Sequence, residues 1–125
     1  MAQARIPKSE FQILEKLWEI GPASVREIHE SLPEDGRPAY TTVQTLIARL
    51  EQKRAISRVK KVGSAYVFRA ALSRRSVQRR LVTDLLDFFG GSATPVISHL
   101  IDSGKLTLAD LKEAEERLAR IKSQQ

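Results

Sequence analysis

The amino-acid sequence predicts a mainly α-helical fold that contains one small β-hairpin. Three amphipathic segments with helix-start signals occupy residues 9–53. The hydrophobic period then changes to that of strands on either side of Gly63-Ser64, and helical spacing returns from Ser73 onward. With 125 residues, the chain is long enough to bury an apolar core without disulfide bonds.

Each of the first two predicted helices has a capping-box pattern at its start, and the second helix is short. Ser9–Gln12 places a hydroxyl three residues before a glutamine, and the helix that follows ends at Gly21-Pro22. Ser24–Glu27 repeats the pattern and opens a second helix that ends at Pro33. Residues 34–38 then have the composition of a loop.

The third predicted helix begins with another capping-box pattern, Thr41–Gln44. Its apolar residues at helical spacing are expected to face inward: Val43, Leu46, Ile47 and Leu50. Polar and basic residues remain on the outer side: Thr42, Gln44, Thr45, Arg49 and Lys53. Three successive capped helices with a short second member are typical of a helix-turn-helix.

Residues 56–62 and 65–69 are rich in β-branched and aromatic side chains, and Gly63-Ser64 separates them. This pattern predicts a β-hairpin with a tight turn. A basic hairpin after a three-helix core is the wing of a winged helix-turn-helix, so residues 1–72 are predicted to form that domain. Trp18 and Tyr66 are expected to anchor its core.

Residues 73–125 are predicted to form three further helices. A break is expected at Gly90-Gly91, and N-terminal caps are expected at Thr94-Pro95 and at Thr107–Asp110. These helices carry considerable apolar surface but cannot form a good core alone. We therefore expect them to form a helical dimerisation domain, since two-fold pairing commonly buries such faces. Folding back onto the first domain is the alternative. The candidate dimer contacts are Leu81, Leu85, Phe88, Leu111, Leu118 and Ile121.

Basic charge is concentrated in the middle of the chain. Residues 49–80 contain eleven basic side chains and one acidic side chain, so their net charge is +10 against −4 for the rest. This asymmetry indicates a surface for a polyanion, either nucleic acid or anionic lipid. The alternative is an ordinary solvated face.

Composition excludes several classes of function. The chain has no cysteine, so disulfides, thiolate nucleophiles and cysteine-ligated metals are excluded, and it has only two histidines. No catalytic residue, metal site or cofactor is predicted. The apolar runs are far shorter than the roughly 20 residues of a membrane span, and the N-terminus lacks the apolar core of a signal peptide. We therefore expect a soluble cytoplasmic protein without a membrane partner.

In a winged helix, the N-terminal half of the third helix meets base edges in the major groove of DNA. The residues at those positions are Thr41, Thr42, Gln44 and Thr45, and those better placed for the DNA backbone are Arg49 and Lys53. On the hairpin, the candidate phosphate contacts are Arg58, Lys60 and Lys61. Alternatively, Thr41 is only an N-cap, Gln44 only closes its capping box, and the hairpin cations only solubilise a strand.

Together these patterns favour a sequence-specific DNA-binding repressor without catalytic activity. A protein-interaction adaptor is a second hypothesis, because winged helices also serve that role, although the +10 segment argues against it. A nonspecific nucleic-acid-binding protein is the third.

Three segments and the end of the hairpin resemble the penicillinase repressor (BlaI/MecI) family. The segments are 9–18 (SEFQILEKLW), 24–28 (SVREI) and 39–50 (AYTTVQTLIARL), and the hairpin ends with Tyr66-Val67-Phe68. The resemblance covers residues 8 to about 72 well and the tail in pattern only. It implies a homodimeric transcriptional repressor whose winged-helix heads bind a palindromic DNA operator and whose C-terminal helices form the dimer.

Two departures from the family concern induction. Copper-sensing relatives end in paired Cys-x-Cys motifs, which this cysteine-free chain lacks. The resemblance also implies a regulatory protease as a partner, but relatives that respond to β-lactams are cleaved at an Asn-Phe bond, and this chain has no asparagine. The corresponding place is near His99-Leu100. The inducing signal therefore stays open.

Overall fold

The structure is a computed structural model that describes residues 5–124. These residues form six helices and a three-stranded sheet, as the predicted class requires. In chain order the elements are α1 (Lys8–Ile20), β1 (Ala23–Ser24), α2 (Val25–Ser31), α3 (Tyr40–Gln52), β2 (Ile56–Val62), β3 (Ala65–Ala70), α4 (Arg74–Asp87), α5 (Thr94–Asp102) and α6 (Leu108–Ser123).

The chain divides into two compact units, and the division falls inside α4 between Leu81 and Val82. The sequence-based boundary after residue 72 lies earlier, just before this helix begins. The first eight of the fourteen residues of α4 therefore belong with the first unit.

The core of the first unit is formed where α1, α2, α3 and the sheet meet. Leu14, Ile28, Val43 and Leu50 are fully buried there, and Val77 at the start of α4 joins the same cluster. Burying each such side chain stabilises the fold by about 1.5–3 kcal/mol.

Trp18 packs at the edge of this cluster, as its predicted anchoring role requires. Its indole Nε1–H donates a hydrogen bond to the carbonyl oxygen of Leu72 at 3.0 Å. Its ring makes a T-shaped contact with the ring of Phe11, with 5.7 Å between the ring centroids. The indole therefore joins α1 to the segment that follows the hairpin.

Two of the predicted capping boxes are present. The Ser24 hydroxyl accepts a hydrogen bond from the Glu27 N–H at 3.2 Å, and the Glu27 carboxylate accepts one from the Ser24 N–H at 3.0 Å. Thr107 and Asp110 make the same reciprocal pair at the start of α6.

The other predicted caps are wrong because α1 and α3 begin two residues earlier than expected, and α5 begins one residue earlier. Pro7 and Ala39 are the N-cap residues of α1 and α3, and no side chain caps either helix. Ser9 and Thr41 therefore lie inside the first helical turn. Similarly, α5 begins at Thr94 itself, after Ala93 as its N-cap.

The sheet is antiparallel with the strand order β1-β3-β2. The hairpin of β2 and β3 follows the sequence prediction, and Gly63 in its turn has a φ of 62°, which glycine adopts without steric cost. The sequence did not predict β1, because a strand of two residues is too short to show a period. Val59 is an extra residue in β2, which forms a bulge between Arg58 and Lys60.

The second unit contains the end of α4 followed by α5 and α6. No side chain of residues 82–124 is buried. Gly90 and Gly91 have φ values of 63° and 82° and separate α4 from α5, as the sequence predicted. The six candidate dimer residues are 37–74% exposed: Leu81, Leu85, Phe88, Leu111, Leu118 and Ile121.

Within residues 5–124, no helix is both long enough and apolar enough to cross a lipid bilayer.

Candidate nucleic-acid interface

The third helix presents a polar face to solvent because its apolar residues follow the helical period. Four inward positions fix this orientation by being buried in the core: Val43, Leu46, Ile47 and Leu50. The structure leaves five of the sequence-predicted site residues exposed on the other side: Thr41, Thr42, Gln44, Thr45 and Arg49. The helix thus displays hydroxyl and amide groups near its N-terminus and a cation further along.

The surroundings of two side chains on this face, Thr45 and Gln44, can be described. The Thr45 hydroxyl donates a hydrogen bond to the Thr41 carbonyl oxygen at 3.1 Å, so its polar group is satisfied within the helix. Gln44 lines an open groove of about 240 Å³ between α3 and the hairpin. Tyr40 and Tyr66 also line this groove.

Lys53 lies at the end of α3 and makes a structural contact that the sequence did not predict. Its Nζ is 2.6 Å from Oε1 of Glu10 and also donates to the Arg5 carbonyl oxygen at 2.7 Å. Glu10 is only 2% exposed. A sequence signal existed for the burial of Glu10, because it precedes the inward residues Ile13 and Leu14 of α1 by three and four positions.

Arg58 on β2 forms an ion pair with the end of α3. Its Nε and Nη2 donate to the two carboxylate oxygens of Glu51 at 2.7 and 3.3 Å. These hydrogen bonds raise the pKa of the Arg58 guanidinium above its ordinary value. The guanidinium carbon also lies 4.1 Å from the centroid of the Tyr66 ring.

Tyr66 is 40% exposed, so the expectation that it anchors the core is wrong. It pairs with Lys61 close to the hairpin turn, beyond the part of the sheet that covers the core. The Lys61 ammonium lies 5.3 Å from the ring centroid. Cations therefore lie against this aromatic ring.

Lys60 is exposed on β2. Hydrogen bonding to the backbone and side chain of Ser24 lowers the pKa of Glu27, and the charge of Lys60 acts in the same direction. Ser24 and Lys60 both pair with Val67 on β3, so Lys60 lies across the sheet from the residue that precedes α2. The three candidate phosphate contacts on the hairpin therefore differ in their surroundings. Arg58 is bound to Glu51, Lys61 lies near the Tyr66 ring, and Lys60 is exposed.

His29 takes part in the approach to α3. Its Nε2 lies 3.0 Å from the Pro38 carbonyl oxygen, and its ring makes an edge contact with Tyr40 at 5.6 Å between centroids. The loop between α2 and α3 is thus tied down immediately before α3 begins.

A three-helix core with a polar third helix, followed by a basic antiparallel hairpin, defines a winged-helix DNA-binding protein. A family model, described as penicillinase repressor, matches residues 6–120, and the chain belongs to that family. The family and the fold are those of transcriptional regulators that bind DNA.

Among solved structures, the chain is similar to a MarR family protein from Bacillus stearothermophilus. The two have 17% sequence identity and a TM-score of 0.49, over 97% of this chain and 76% of that chain. A search of curated proteins gives no match.

Proposed function

We propose that this protein is a homodimeric, sequence-specific repressor that binds an inverted-repeat DNA operator. The observation that supports the proposal is the exposed face of α3. It carries hydroxyl and amide groups, whereas four apolar residues on the other side of the helix are buried. In this role α3 is the recognition helix and the β2–β3 hairpin, residues 56–70, is the wing.

The recognition helix reads bases through side chains near its N-terminus. Gln44 is suited to adenine, whose N6 and N7 it can bond bidentately. The methyl groups of Thr42 and Thr45 are suited to contact thymine methyl groups. The Thr45 hydroxyl already donates a hydrogen bond within the helix, so it needs no partner on the DNA. Thr41 in the first turn is suited to a backbone phosphate.

Exposed cations supply the part of the affinity that is independent of sequence. Arg49 lies further along the recognition helix, and Lys60 and Lys61 lie on the wing. Each cation that neutralises a phosphate releases condensed counterions, so binding weakens as salt rises. Lys53 is left out of this group because its charge is paired with the buried Glu10.

The second unit supplies the dimer. Its helices bury no side chain within residues 82–124, and exposed apolar residues are spread along α5 and α6. A second copy of the chain can cover such surfaces by two-fold pairing. Two heads joined in this way read half-sites about 10 bp apart, centre to centre, or a multiple of that.

Selection of bound sequences from a random DNA pool tests the function directly. We expect enrichment of one inverted repeat, with an affinity about 10³–10⁷-fold above that for random competitor DNA. A pool that binds without enrichment would instead support a nonspecific nucleic-acid-binding protein. Absence of salt-dependent DNA binding would support an adaptor.

A further inference from the structure

The recognition helix and the wing are joined by one bidentate ion pair. Glu51, in the last turn of α3, accepts hydrogen bonds from Nε and Nη2 of Arg58 at 2.7 and 3.3 Å. Glu51 is also the only acidic residue between positions 49 and 80. When both carboxylate oxygens bind one guanidinium, the pair fixes the relative orientation of the two side chains as well as their distance. The pair can therefore hold a strand of the wing in one orientation relative to the helix.

The β-bulge brings a second contact to the same guanidinium. Arg58 pairs with Phe68, Lys60 with Val67, and Lys61 with Tyr66, so Val59 is the extra residue. Directly paired residues share a face of the sheet, which places Arg58 and Lys61 on the face of Tyr66 and Lys60 on the opposite face. Without the bulge, residues 58 and 61 would lie on opposite faces.

The Tyr66 ring lies against the guanidinium, with 4.1 Å from the Arg58 Cζ to the ring centroid. One face of the guanidinium is thereby covered while its edge is bound to Glu51. A phosphate that recruited Arg58 would have to displace a carboxylate and would lie next to that negative charge.

We infer that Glu51, Arg58 and Tyr66 form a clamp that sets the position of the wing relative to the recognition helix. In this assignment Arg58 is a positioning residue, and phosphate contact on the wing belongs to Lys60 and Lys61. The effect on DNA binding rests on the proposed function, whereas the effect on the order of the wing does not.

Glu51→Gln distinguishes a clamp role of Arg58 from a phosphate contact, because the two roles predict opposite changes in operator affinity. Loss of the clamp weakens operator binding by about 1.5- to fivefold, the range for an exposed ion pair. If Arg58 instead contacted phosphate, removal of its competing carboxylate would strengthen binding. Glu15→Gln on α1 is the matched control, since it removes the same charge away from the hairpin.

The salt dependence of binding gives a second test. Arg58→Ala should weaken operator binding without changing the slope of log affinity against log salt, whereas Lys60→Ala should lower that slope by about one. The double variant Glu51→Gln/Arg58→Ala should bind no more weakly than Arg58→Ala alone, since both remove the same pair. A reduced slope for Arg58→Ala, or stronger binding by Glu51→Gln than by the control, overturns the clamp.

Hydrogen exchange on the full chain without DNA tests the clamp independently of the proposed DNA-binding function. Amides of residues 58–66 should exchange faster in Glu51→Gln and Arg58→Ala than in the unmodified protein or in Lys60→Ala. Unchanged exchange in both variants would refute the clamp even if DNA binding is specific. Faster exchange in a protein that binds no operator would refute the proposed function and leave the clamp in place.

Discussion

At the scale of single residues, Gln44 is the side chain with the clearest capacity to select a base. It is exposed on α3 and its amide can bond one adenine bidentately. We expect Gln44→Ala to weaken operator binding by about 1–3 kcal/mol and to relax the preference at one base pair in each half-site. Titration of operator variants, substituted one base pair at a time, measures both effects.

Gln12→Ala is the matched control for this substitution, because Gln12 is an exposed glutamine on α1. It should leave affinity and preference unchanged. Equal losses by Gln44→Ala on operator and random DNA would contradict base recognition and would assign Gln44 a role in holding the helix.

Lys60 should act on every DNA sequence alike. Lys60→Ala removes one exposed positive charge from the wing, so we expect weaker binding to operator and random DNA and a salt slope smaller by about one. Lys8→Ala on α1 is the control that removes an equivalent exposed charge. A change in base preference with Lys60→Ala would contradict a phosphate contact.

The sequence predicted which residues of α3 face solvent but not what the long cations touch. Helical periodicity determines the exposure of Gln44, because the buried residues leave it no other orientation. The partners of Lys53 and Arg58 depend on how separate elements pack. Lys53 reaches Glu10 across 43 positions in the sequence, and Arg58 stacks on a ring of the neighbouring strand. Tyr66 is exposed because the hairpin extends beyond the core, and this too depends on how the hairpin packs.

At the scale of elements, the ion pair between Lys53 and Glu10 joins the end of α3 to the start of α1. Lys53→Met leaves the buried Glu10 carboxylate without its cation, so we expect a loss of about 2–4 kcal/mol in the free energy of unfolding. Urea unfolding followed by circular dichroism measures this loss.

Lys16→Met is the control, because Lys16 pairs with the exposed Glu19 at 3.2 Å and such pairs contribute less than about 1 kcal/mol. The double variant Glu10→Met/Lys53→Met should recover much of the lost stability, since it removes the unpaired charge. A loss with Lys53→Met no larger than with Lys16→Met would contradict a structural role for the pair.

Helix starts show how far local sequence determines an element. The boxes at Ser24 and Thr107 form because each hydroxyl directly precedes its helix. At Ser9 and Thr41 the same pattern lies two residues too late, since Pro7 and Ala39 already adopt the extended conformation of an N-cap. Packing of the apolar stripe selects between such neighbouring starts, and the local motif does not contain that information.

At the scale of the whole molecule, the proposed dimer depends on the apolar surface of the second unit. We expect Leu118→Glu to convert a dimer into a monomer at micromolar concentration, because Leu118 is 67% exposed on α6 and a buried carboxylate there would lack a partner. Sedimentation equilibrium measures the change. Ala119→Glu, which adds the same charge on another side of the helix, should stay dimeric. A monomeric unmodified protein would contradict the dimer.

The tail is expected to contribute strongly to operator affinity, although it lies outside the buried core. Every buried side chain within residues 5–124 lies between Glu10 and Val77, so fragment 1–91 retains the whole core and should stay folded. It loses α5 and α6, and with them the proposed tether between two heads. Joining two heads raises affinity by about 10²–10⁴-fold through effective concentration, so the fragment should lose a factor of that order.

Any release of repression through the tail requires that the two heads be separated. An event that separates the heads, such as cleavage near His99-Leu100 within α5, acts by removing this avidity and leaves base recognition intact. Fragment 1–91 should therefore select the same half-site as the full chain, only more weakly, in a gel-shift titration. A fragment that binds the inverted repeat as tightly as the full chain would show that the heads act independently, and cleavage of the tail could not then relieve repression.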